Sequence, residues 1–340
     1  MTNEPSFRPA LHVAYTTLDP RRPLGDDVLA AVVFGDDTPA PHDPRCVRVA
    51  LDPLTGRGLC EVWRGSGPVR LGTAGPIRYV ENGHCLFGWI DLEEARHGDL
   101  AATAEAAYRS LLEFHAASPY RSLWRLWNVV DAINEGAGDD ERYKLFSLGR
   151  ARAFAAASNT FPGAGFPAAT AVGRPGRSRT LHVSWMAGRE PGAMLENPRQ
   201  VSAYDYPRQY GPASPSFSRA AVIPASLLLV SGTASIVGHA SLHAGDVSAQ
   251  LDETLSNLDV LLLRARDAGQ VASAVLGAES LLKVYLRPGV DVHVVEDKLR
   301  RRLGGDVPLI MLEADICRAE LLIEIEAIQR IRRTAPPLNA

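Results

Sequence analysis

The sequence predicts an α+β protein of two related units, in which helices pack on mixed, antiparallel-rich sheets. A Gly-Asp pair precedes an amphipathic helical pattern at two places, Gly98-Asp99 and Gly245-Asp246. Around both helices the segments follow one order: strands, helix, strand, helix, strands. The 29 glycines and 24 prolines indicate many turns and argue against a helical bundle. We therefore expect an internal duplication.

The first 72 residues form a predicted extension without a long helix. Its strand-like segments are separated by turn-rich stretches and lie at residues 11–15, 28–34, 46–51 and 60–63. The pattern fits a lid, an added sheet edge or the first part of a larger sheet. We expect this extension to pack on the first unit.

Residues 73–217 form the predicted first unit, which ends in a connecting segment at 190–217. Asp99 is a suitable N-cap for its first helix, and a single glycine weakens its second helix. The predicted elements are a strand at 85–90, a helix after Asp99, a strand at 123–133, a helix at 140–157 and a strand at 180–186.

Residues 218–334 form the predicted second unit, whose first helix has the more regular apolar stripe. The predicted elements are a strand at 226–233, a helix after Asp246, a strand at 281–286, a helix at 291–303 and strands within 309–327. The two units thus share one order of elements.

The connecting segment combines prolines with tyrosines and arginines and has little periodicity. Structureless loops of about 30 residues inside compact proteins are usually functional or disordered, and this composition is a poor one for disorder. The segment fits a wall over a small anionic ligand, or a connector whose tyrosines only pack on the sheets.

Composition excludes several classes of function. A length of 340 residues favours two domains or a double-length fold, and 46% hydrophobic and 22% charged residues are typical of globular proteins. The net charge of −3 gives no reason to expect nucleic acid or an anionic membrane as a partner. No apolar run approaches the about 18 residues of a membrane span. The N-terminal sequence lacks a secretion pattern, so a cytoplasmic location is expected.

No metal or cofactor motif occurs in the sequence. Cys46, Cys60, Cys85 and Cys317 form no CxxC pair, and none of the nine histidines has a two-ligand spacing such as HExxH. Glycine-rich phosphate-binding patterns are also missing. We expect no metal and no organic cofactor.

The segment at residues 308–330 is predicted to form two short strands around a tight connection at residues 318–320, and the second strand carries two carboxylates. Glu324 and Glu326 share a strand face with Leu322 and Ile328. In a buried sheet, desolvation would raise the pKa of such a carboxyl and keep it protonated at neutral pH. The same pattern also fits a solvated face that carries two charges.

Several blocks in this chain resemble the chorismatases, a family within the RidA/YjgF superfamily, over about three quarters of the sequence. The blocks are RLWNVVDAINEG (125–136), DDERYKLF (139–146), GRARAF (149–154), YPRQYG (206–211), SPSFSRA (214–220), SGTASIVGHAS (231–241) and ICRAELLIEIEA (316–327). The resemblance implies two RidA/YjgF-like (chorismate-mutase-like) repeats. It also implies removal of the enolpyruvyl side chain of chorismate without metal or cofactor.

By this resemblance Glu324 is the catalytic acid that protonates the enol ether carbon. We expect Glu326 to be a structural or supporting partner. The two carboxylates of chorismate require cationic partners. The predicted substrate-binding residues are Arg152, Arg208, Tyr210 and Arg219, with Thr233, Ala234 and Ser235 at the pocket floor. His239 fits a turn that serves only the fold.

The hydroxybenzoate-forming branch of the family resembles this chain in having a cysteine seven residues before the catalytic Glu, here Cys317. We therefore expect Cys317 to act in forming 3-hydroxybenzoate and pyruvate. Hydrolysis to a trans-dihydrodiol acid, a RidA-type imine or enamine deaminase, and a non-enzymatic ligand-binding protein stay open as alternatives. RidA relatives are trimers with sites between subunits, so both a monomer and a trimer are compatible with the sequence.

Overall fold

A computed structural model of the protein describes residues 11–157, 165–176, 178–223, 227–271 and 274–331. Parts of the sequence-based predictions lie outside this range, among them residues 1–10 of the extension, Ser226 at the start of a predicted strand, and residues 332–334 at the end of the second unit.

Strands and helices follow the predicted order closely. The extension holds β1 (His12–Thr17), β2 (Val28–Phe34), β3 (Cys46–Val49) and β4 (Leu59–Arg64). The first unit holds β5 (Arg70–Ala74), β6 (Ile77–Glu81), β7 (Cys85–Glu93), α1 (Leu100–Ala117), β8 (Ser122–Asp131), α2 (Arg142–Ala156), β9 (Ala168–Arg174) and β10 (Thr180–Gly188). The remainder holds β11 (Ala193–Leu195), β12 (Ala220–Ile223), β13 (Leu227–Ala234), β14 (Ile236–Val237), β15 (Ala240–Ser241), α3 (Val247–Asp267), β16 (Ser280–Leu286), α4 (Val292–Leu303), β17 (Leu309–Glu313), β18 (Asp315–Ile316) and β19 (Ile323–Arg330).

The internal duplication is visible in the sheets. Six strands of the first unit and β18 form a seven-stranded sheet in the order β18-β9-β8-β10-β7-β6-β5. Five strands of the second unit and β11 form a six-stranded sheet in the order β11-β12-β13-β19-β16-β17. In each unit a helix connects two parallel neighbours, α2 between β8 and β9 and α4 between β16 and β17, while most other pairs are antiparallel. The predicted α+β class with two repeats is confirmed.

Both predicted helix starts are confirmed. The Asp99 side chain accepts a hydrogen bond from the Ala102 N–H at 2.7 Å, and the Asp246 side chain accepts one from the Ala249 N–H at 2.9 Å. Each carboxylate satisfies a backbone N–H that the first helical turn leaves free.

Gly149 in α2 has a role that helix propensity does not indicate. A Cβ at this position would overlap the carbonyl oxygen of Ala101 in α1. The glycine therefore allows the two helices of the first unit to pack closely, and this contact outweighs its cost to α2 itself.

The N-terminal extension is neither an added edge nor the first part of a larger sheet, because its strands pair with one another in a separate sheet of order β1-β4-β2-β3. Strand β2 is buried along its whole length. One side packs within the extension through Val28, Ala31 and Val33, and the other joins a core that all three large sheets share.

That central core places the extension against both units, the predicted first one and also the second. It brings together Trp63 of the extension, Phe87 and Trp127 of the first unit, and Tyr285 and Ile328 of the second. The extension also pairs its backbone directly with the second unit at residues 52–55 and 311–313. The domain boundaries at 72 and 217 stay predictions, and the first falls inside β5.

The segment at 308–330 does not form two neighbouring strands around a tight connection. Strand β17 pairs with β16, whereas β19 lies on the other side of β16, between it and β13. Between them the chain crosses to the first unit, where β18 pairs with β9. Residues 317–322 therefore lie between the two units. No helix of the described residues has the length and apolarity of a membrane span.

Candidate active site

A cavity of about 320 Å³ lies between the two units. Strands β9, β13 and β19, helix α2, the loop after β18 and the connecting segment all contribute to its lining. Its volume is at the lower end of the about 300–1,000 Å³ typical of small-molecule pockets.

Glu324 lies at the base of this cavity. Its strand, β19, is central in the sheet, and its neighbours in register are Ala234 on β13 and Tyr285 on β16. Gly232 lies beside the carboxyl group, since a Cβ at that position would overlap the Glu324 oxygens. The carboxyl group is buried and has no hydrogen-bond partner among the described residues.

Glu326, two residues further along the same strand face, has the opposite environment. Its carboxylate accepts hydrogen bonds from the Thr170 hydroxyl at 2.7 Å, the Trp127 indole at 3.1 Å and the Tyr285 hydroxyl at 3.1 Å. It also pairs with the Arg125 guanidinium, and with the Lys283 ammonium at 2.7 Å. Five donors thus surround one buried carboxylate, so the solvated-face alternative is wrong.

These environments separate the charge states of the two carboxyl groups. Burial, followed by the negative charge of Glu326, raises the pKa of Glu324 to about 8. Burial alone would raise the pKa of Glu326 as well, but Lys283 and Arg125 outweigh it and lower that pKa to about 2. At neutral pH, Glu324 holds a proton and Glu326 is ionised.

Three buried arginines line the cavity: Arg150, Arg219 and Arg318. None forms a salt bridge with a carboxylate among the described residues. Within the same residues each retains at least one buried N–H group without a hydrogen-bond partner: Nε and Nη2 of Arg150, Nε of Arg219 and Nη2 of Arg318. Such groups are costly unless a ligand satisfies them. The cavity is therefore suited to an anion.

Aromatic side chains hold two of these guanidinium groups in place. Arg318 lies 4.0 Å from the ring centroid of Tyr210, and Arg219 lies 5.1 Å from that of Phe217. The Tyr206 hydroxyl also accepts a hydrogen bond from Arg219 at 2.8 Å. His239 supports this wall, since its ring is 3.1 Å from the Tyr210 hydroxyl and its carbonyl accepts from Arg318 at 2.8 Å.

Cys317 faces the cavity from the loop after β18. Arg287 holds that loop, because its guanidinium donates to the carbonyls of Ile316, Arg318 and Leu321. Burial and the nearby Glu324 charge raise the pKa of the Cys317 thiol to about 12, so it is a neutral thiol at physiological pH.

The structure brings five of the nine sequence-predicted site residues together. Those that line the cavity are Tyr210, Arg219, Ala234, Cys317 and Glu324. The connecting segment forms a wall of the cavity through Tyr206, Tyr210 and Phe217. Of the two alternatives for this segment, the wall therefore fits better than a connector whose tyrosines only pack on the sheets.

The other four predicted residues lie elsewhere. Arg152 is exposed on α2 and lies 3.7 Å from Glu105, and Arg208 forms an exposed pair with Asp139. Thr233 points to the opposite side of β13 from Ala234, because successive strand residues alternate. Ser235 follows the strand, and its hydroxyl donates to the Leu242 carbonyl.

Sequence reasoning missed Arg150 and Arg318, although a signal existed for both. Arg150 falls on the buried stripe of α2 with Phe146, Gly149 and Ala153, whereas Arg152 is on the opposite face. Arg318 directly follows Cys317 in the quoted block ICRAELLIEIEA. Among the described residues, no group of three or more His, Cys, Asp or Glu side chains is placed to hold a metal ion.

Comparisons with known proteins agree on one family. The family model "Chorismatase FkbO/Hyg5-like, N-terminal" matches residues 61–187. A 3-hydroxybenzoate synthase of Streptomyces hygroscopicus is 32% identical over 320 residues, 90% of this chain and 92% of that protein. A chorismatase of Streptomyces rapamycinicus is 33% identical over 295 residues, which cover 83% of this chain and 86% of that protein. A chorismatase crystal structure matches with a TM-score of 0.82 and 30% identity, covering 94% of this chain and 98% of that one.

The shifted pKa of Glu324 predicts a pH-dependent stability. Between its pKa of 4.5 in an unfolded chain and about 8 in the folded protein, the folded state binds one more proton. Wild-type stability therefore falls as pH rises through this window, and Glu324→Gln removes that loss. We expect urea denaturation to show that the variant gains on the order of 3 kcal/mol relative to wild type between pH 4.5 and 8.5.

Glu113→Gln, on the exposed face of α1, is the matched control and should keep the wild-type pH dependence. Parallel stability curves for wild type and Glu324→Gln would contradict the shifted pKa.

Proposed function

The chain belongs to the chorismatase family, and we propose that it removes the enolpyruvyl side chain of chorismate, producing pyruvate and 3-hydroxybenzoate. One observation carries the proposal: a buried, proton-bearing Glu324 shares a cavity with three buried guanidinium groups. An acid for carbon protonation and cations for a dicarboxylate are the two requirements of this reaction.

The first step is proton transfer from Glu324 to the methylene carbon of the enol ether. The electron pair of the carbon-carbon double bond forms the new C–H bond, which leaves an oxocarbenium ion and a Glu324 carboxylate. Carbon is a weak base, so a carboxyl group that keeps its proton at neutral pH is a suitable donor. The carboxylate then stabilises the adjacent cation.

The second step releases pyruvate. The bond between the ring carbon and the ether oxygen breaks, and its electron pair completes the ketone of pyruvate. The neighbouring ring hydroxyl attacks the vacated carbon and transfers its proton to Glu324. The resulting epoxide isomerises to 3-hydroxybenzoate, so no water is consumed.

Cys317 fits a role as a neutral thiol in the formation of 3-hydroxybenzoate. Its raised pKa argues against a thiolate nucleophile. In the proposed reaction it occupies the space that an attacking water would need and offers an S–H donor near the ring.

Arg150, Arg219 and Arg318 are the proposed partners of the two substrate carboxylates. Arg150 lies on α2, Arg219 lies directly before β12, and Arg318 lies in the loop after β18, so a bound dicarboxylate would satisfy N–H groups from both units. Tyr210 supports Arg318 by stacking, and Ala234 leaves room for the ring beside Glu324. A cytoplasmic location and a monomeric or trimeric state stay predictions.

The function is tested by incubating the purified protein with chorismate and identifying the products by chromatography and mass spectrometry. We expect pyruvate and 3-hydroxybenzoate in equal amounts. Glu324→Gln keeps the shape of the side chain but cannot donate the proton, so turnover should fall at least about 10³-fold. A dihydrodiol acid from wild type would indicate hydrolysis, and near wild-type turnover by the variant would contradict the assigned acid.

Arg150 and Arg152 provide a matched pair of variants on one helix. Arg150→Ala should raise KM for chorismate by about 30- to 1,000-fold, because a buried charge partner of a carboxylate is lost. Arg152→Ala should stay within about twofold of wild type, since this exposed side chain contacts Glu105 instead. Steady-state kinetics measures both, and equal effects would argue against Arg150 as a substrate-binding residue.

Cys317→Ala tests how the product is chosen. A smaller side chain admits water, so a fraction of the product should change to the dihydrodiol acid, which is heavier than 3-hydroxybenzoate by one water. Cys46→Ala, at another half-buried cysteine in the extension, is the control and should form only 3-hydroxybenzoate. Unchanged products from Cys317→Ala would show that this thiol does not exclude water.

A further inference from the structure

A line of buried charges connects the N-terminal sheet with the candidate active site. Glu61 on β4 lies 2.8 Å from the Lys283 ammonium on β16, and Lys283 lies 2.7 Å from the Glu326 carboxylate on β19. Glu326 in turn pairs with Arg125 on β8. All four side chains are at most 5% exposed.

We propose that Glu61 is a positioning residue for the reaction at Glu324, and that its charge completes the balance of buried charges that keeps the proton on Glu324. The inference rests on the proposed function of Glu324 as the acid. It gives the N-terminal extension a part in the chemistry, although Glu61 is not among the residues that line the cavity.

The balance follows from counting charges. Lys283 and Arg125 contribute two positive charges, and Glu61 and Glu326 contribute two negative ones. Because this set is neutral as a whole, it adds no net positive charge that would favour ionisation of Glu324, beyond the effect of the cavity arginines. Loss of the Glu61 charge leaves one positive charge in excess, which an ionised Glu324 would compensate.

The geometry supports a fixed charge at Glu61. The Trp63 indole donates a hydrogen bond to its other carboxylate oxygen at 2.8 Å, which orients the group towards Lys283. Lys283 is confined by the rings of Phe34 and Trp127, at 5.3 and 5.7 Å from their centroids. The extension thus supplies both a charge and part of the surroundings of Lys283.

Other titratable or charged groups also face this line. They are Tyr15 on β1, Tyr285 on β16, Tyr143 on α2, His182 on β10, Cys317 after β18 and Arg219 beside Glu324. Burial raises the pKa of the three tyrosines and of the thiol, so these groups stay neutral. Arg219 lowers the pKa of Glu324 in wild type and in Glu61 variants alike.

Glu61→Gln tests the inference because it removes the charge and keeps an acceptor for Trp63. We expect the alkaline limb of the kcat/KM profile for chorismate to move down by about one pH unit. Below the shifted limb, at pH 5.5, kcat and KM should be close to wild type. A structural defect would instead lower kcat at every pH.

Three further variants serve as controls. Glu61→Asp keeps the charge and should keep the wild-type limb. Asp43→Asn removes a carboxylate from the ion pair with Arg45 in the same extension and should not move the limb. The double variant Glu61→Gln with Lys283→Met removes one charge of each sign, so the limb should return towards the wild-type position.

If Glu61→Gln does not fold, as judged by circular dichroism, Lys283→Met alone must move the alkaline limb of the kcat/KM profile to higher pH, because it removes a positive charge. A limb that stays in place in the folded single variants, or one that moves equally in Asp43→Asn, overturns the inference.

A readout without turnover separates this inference from the proposed function. Carbon-13 labelling of glutamate carboxyls allows NMR titration of Glu324, whose signal is assigned by its loss in Glu324→Gln. The midpoint should fall by about one pH unit in Glu61→Gln. A midpoint that shifts in Glu61→Gln, in a protein that does not turn over chorismate, would reject the proposed function and support the charge balance. A midpoint that does not shift, together with normal turnover of chorismate, would support the function and reject the charge balance.

Discussion

Two carboxyl groups on one strand face differ in charge at neutral pH: Glu324 is protonated and neutral, and Glu326 is ionised. The arrangement of the site depends on this difference. Both are buried, so desolvation alone would protonate both. Glu326 is ionised because Arg125 and Lys283 pair with it and three further donors bind it. Its charge then adds to desolvation at Glu324. The charge of Glu326 therefore helps to keep Glu324 protonated, and donors on several strands are needed to keep Glu326 ionised.

The sheets of both units supply these partners. The first unit supplies Arg125, Trp127 and Thr170, and the second supplies Lys283 and Tyr285. The duplication explains how such a junction arises, since each repeat presents the face of its sheet opposite its helices to the shared core. Buried ion pairs seldom stabilise a fold more than apolar packing would. Their presence here is better explained by their effect on Glu324 than by stability.

Regular periodicities made most of the fold predictable. The strands of the extension, the four helices and the caps at Asp99 and Asp246 follow from alternation, helical stripes and capping chemistry. The same periodicities, applied to the site, would have separated Arg150 from Arg152, and Ala234 from Thr233. Spatial closeness of distant segments could not be predicted in this way. Nothing local to Glu61 indicates that it reaches Lys283, and nothing local to Gly149 indicates its contact with Ala101.

In the proposed reaction the substrate itself completes the electrostatics of the acid. Before binding, the positive charge of Arg219 favours ionisation of Glu324 and partly opposes the effect of Glu326. A substrate carboxylate that pairs with Arg219 would remove the Arg219 part of that opposition, although not the larger part from Arg125, and would displace water from the cavity. Both changes favour the protonated form. After proton transfer the Glu324 carboxyl group becomes an anion beside the oxocarbenium ion, and the positive charge of that ion compensates it. Glu324 is thus disfavoured as an anion until the cation forms, and this difference between ground state and transition state is what lowers a barrier.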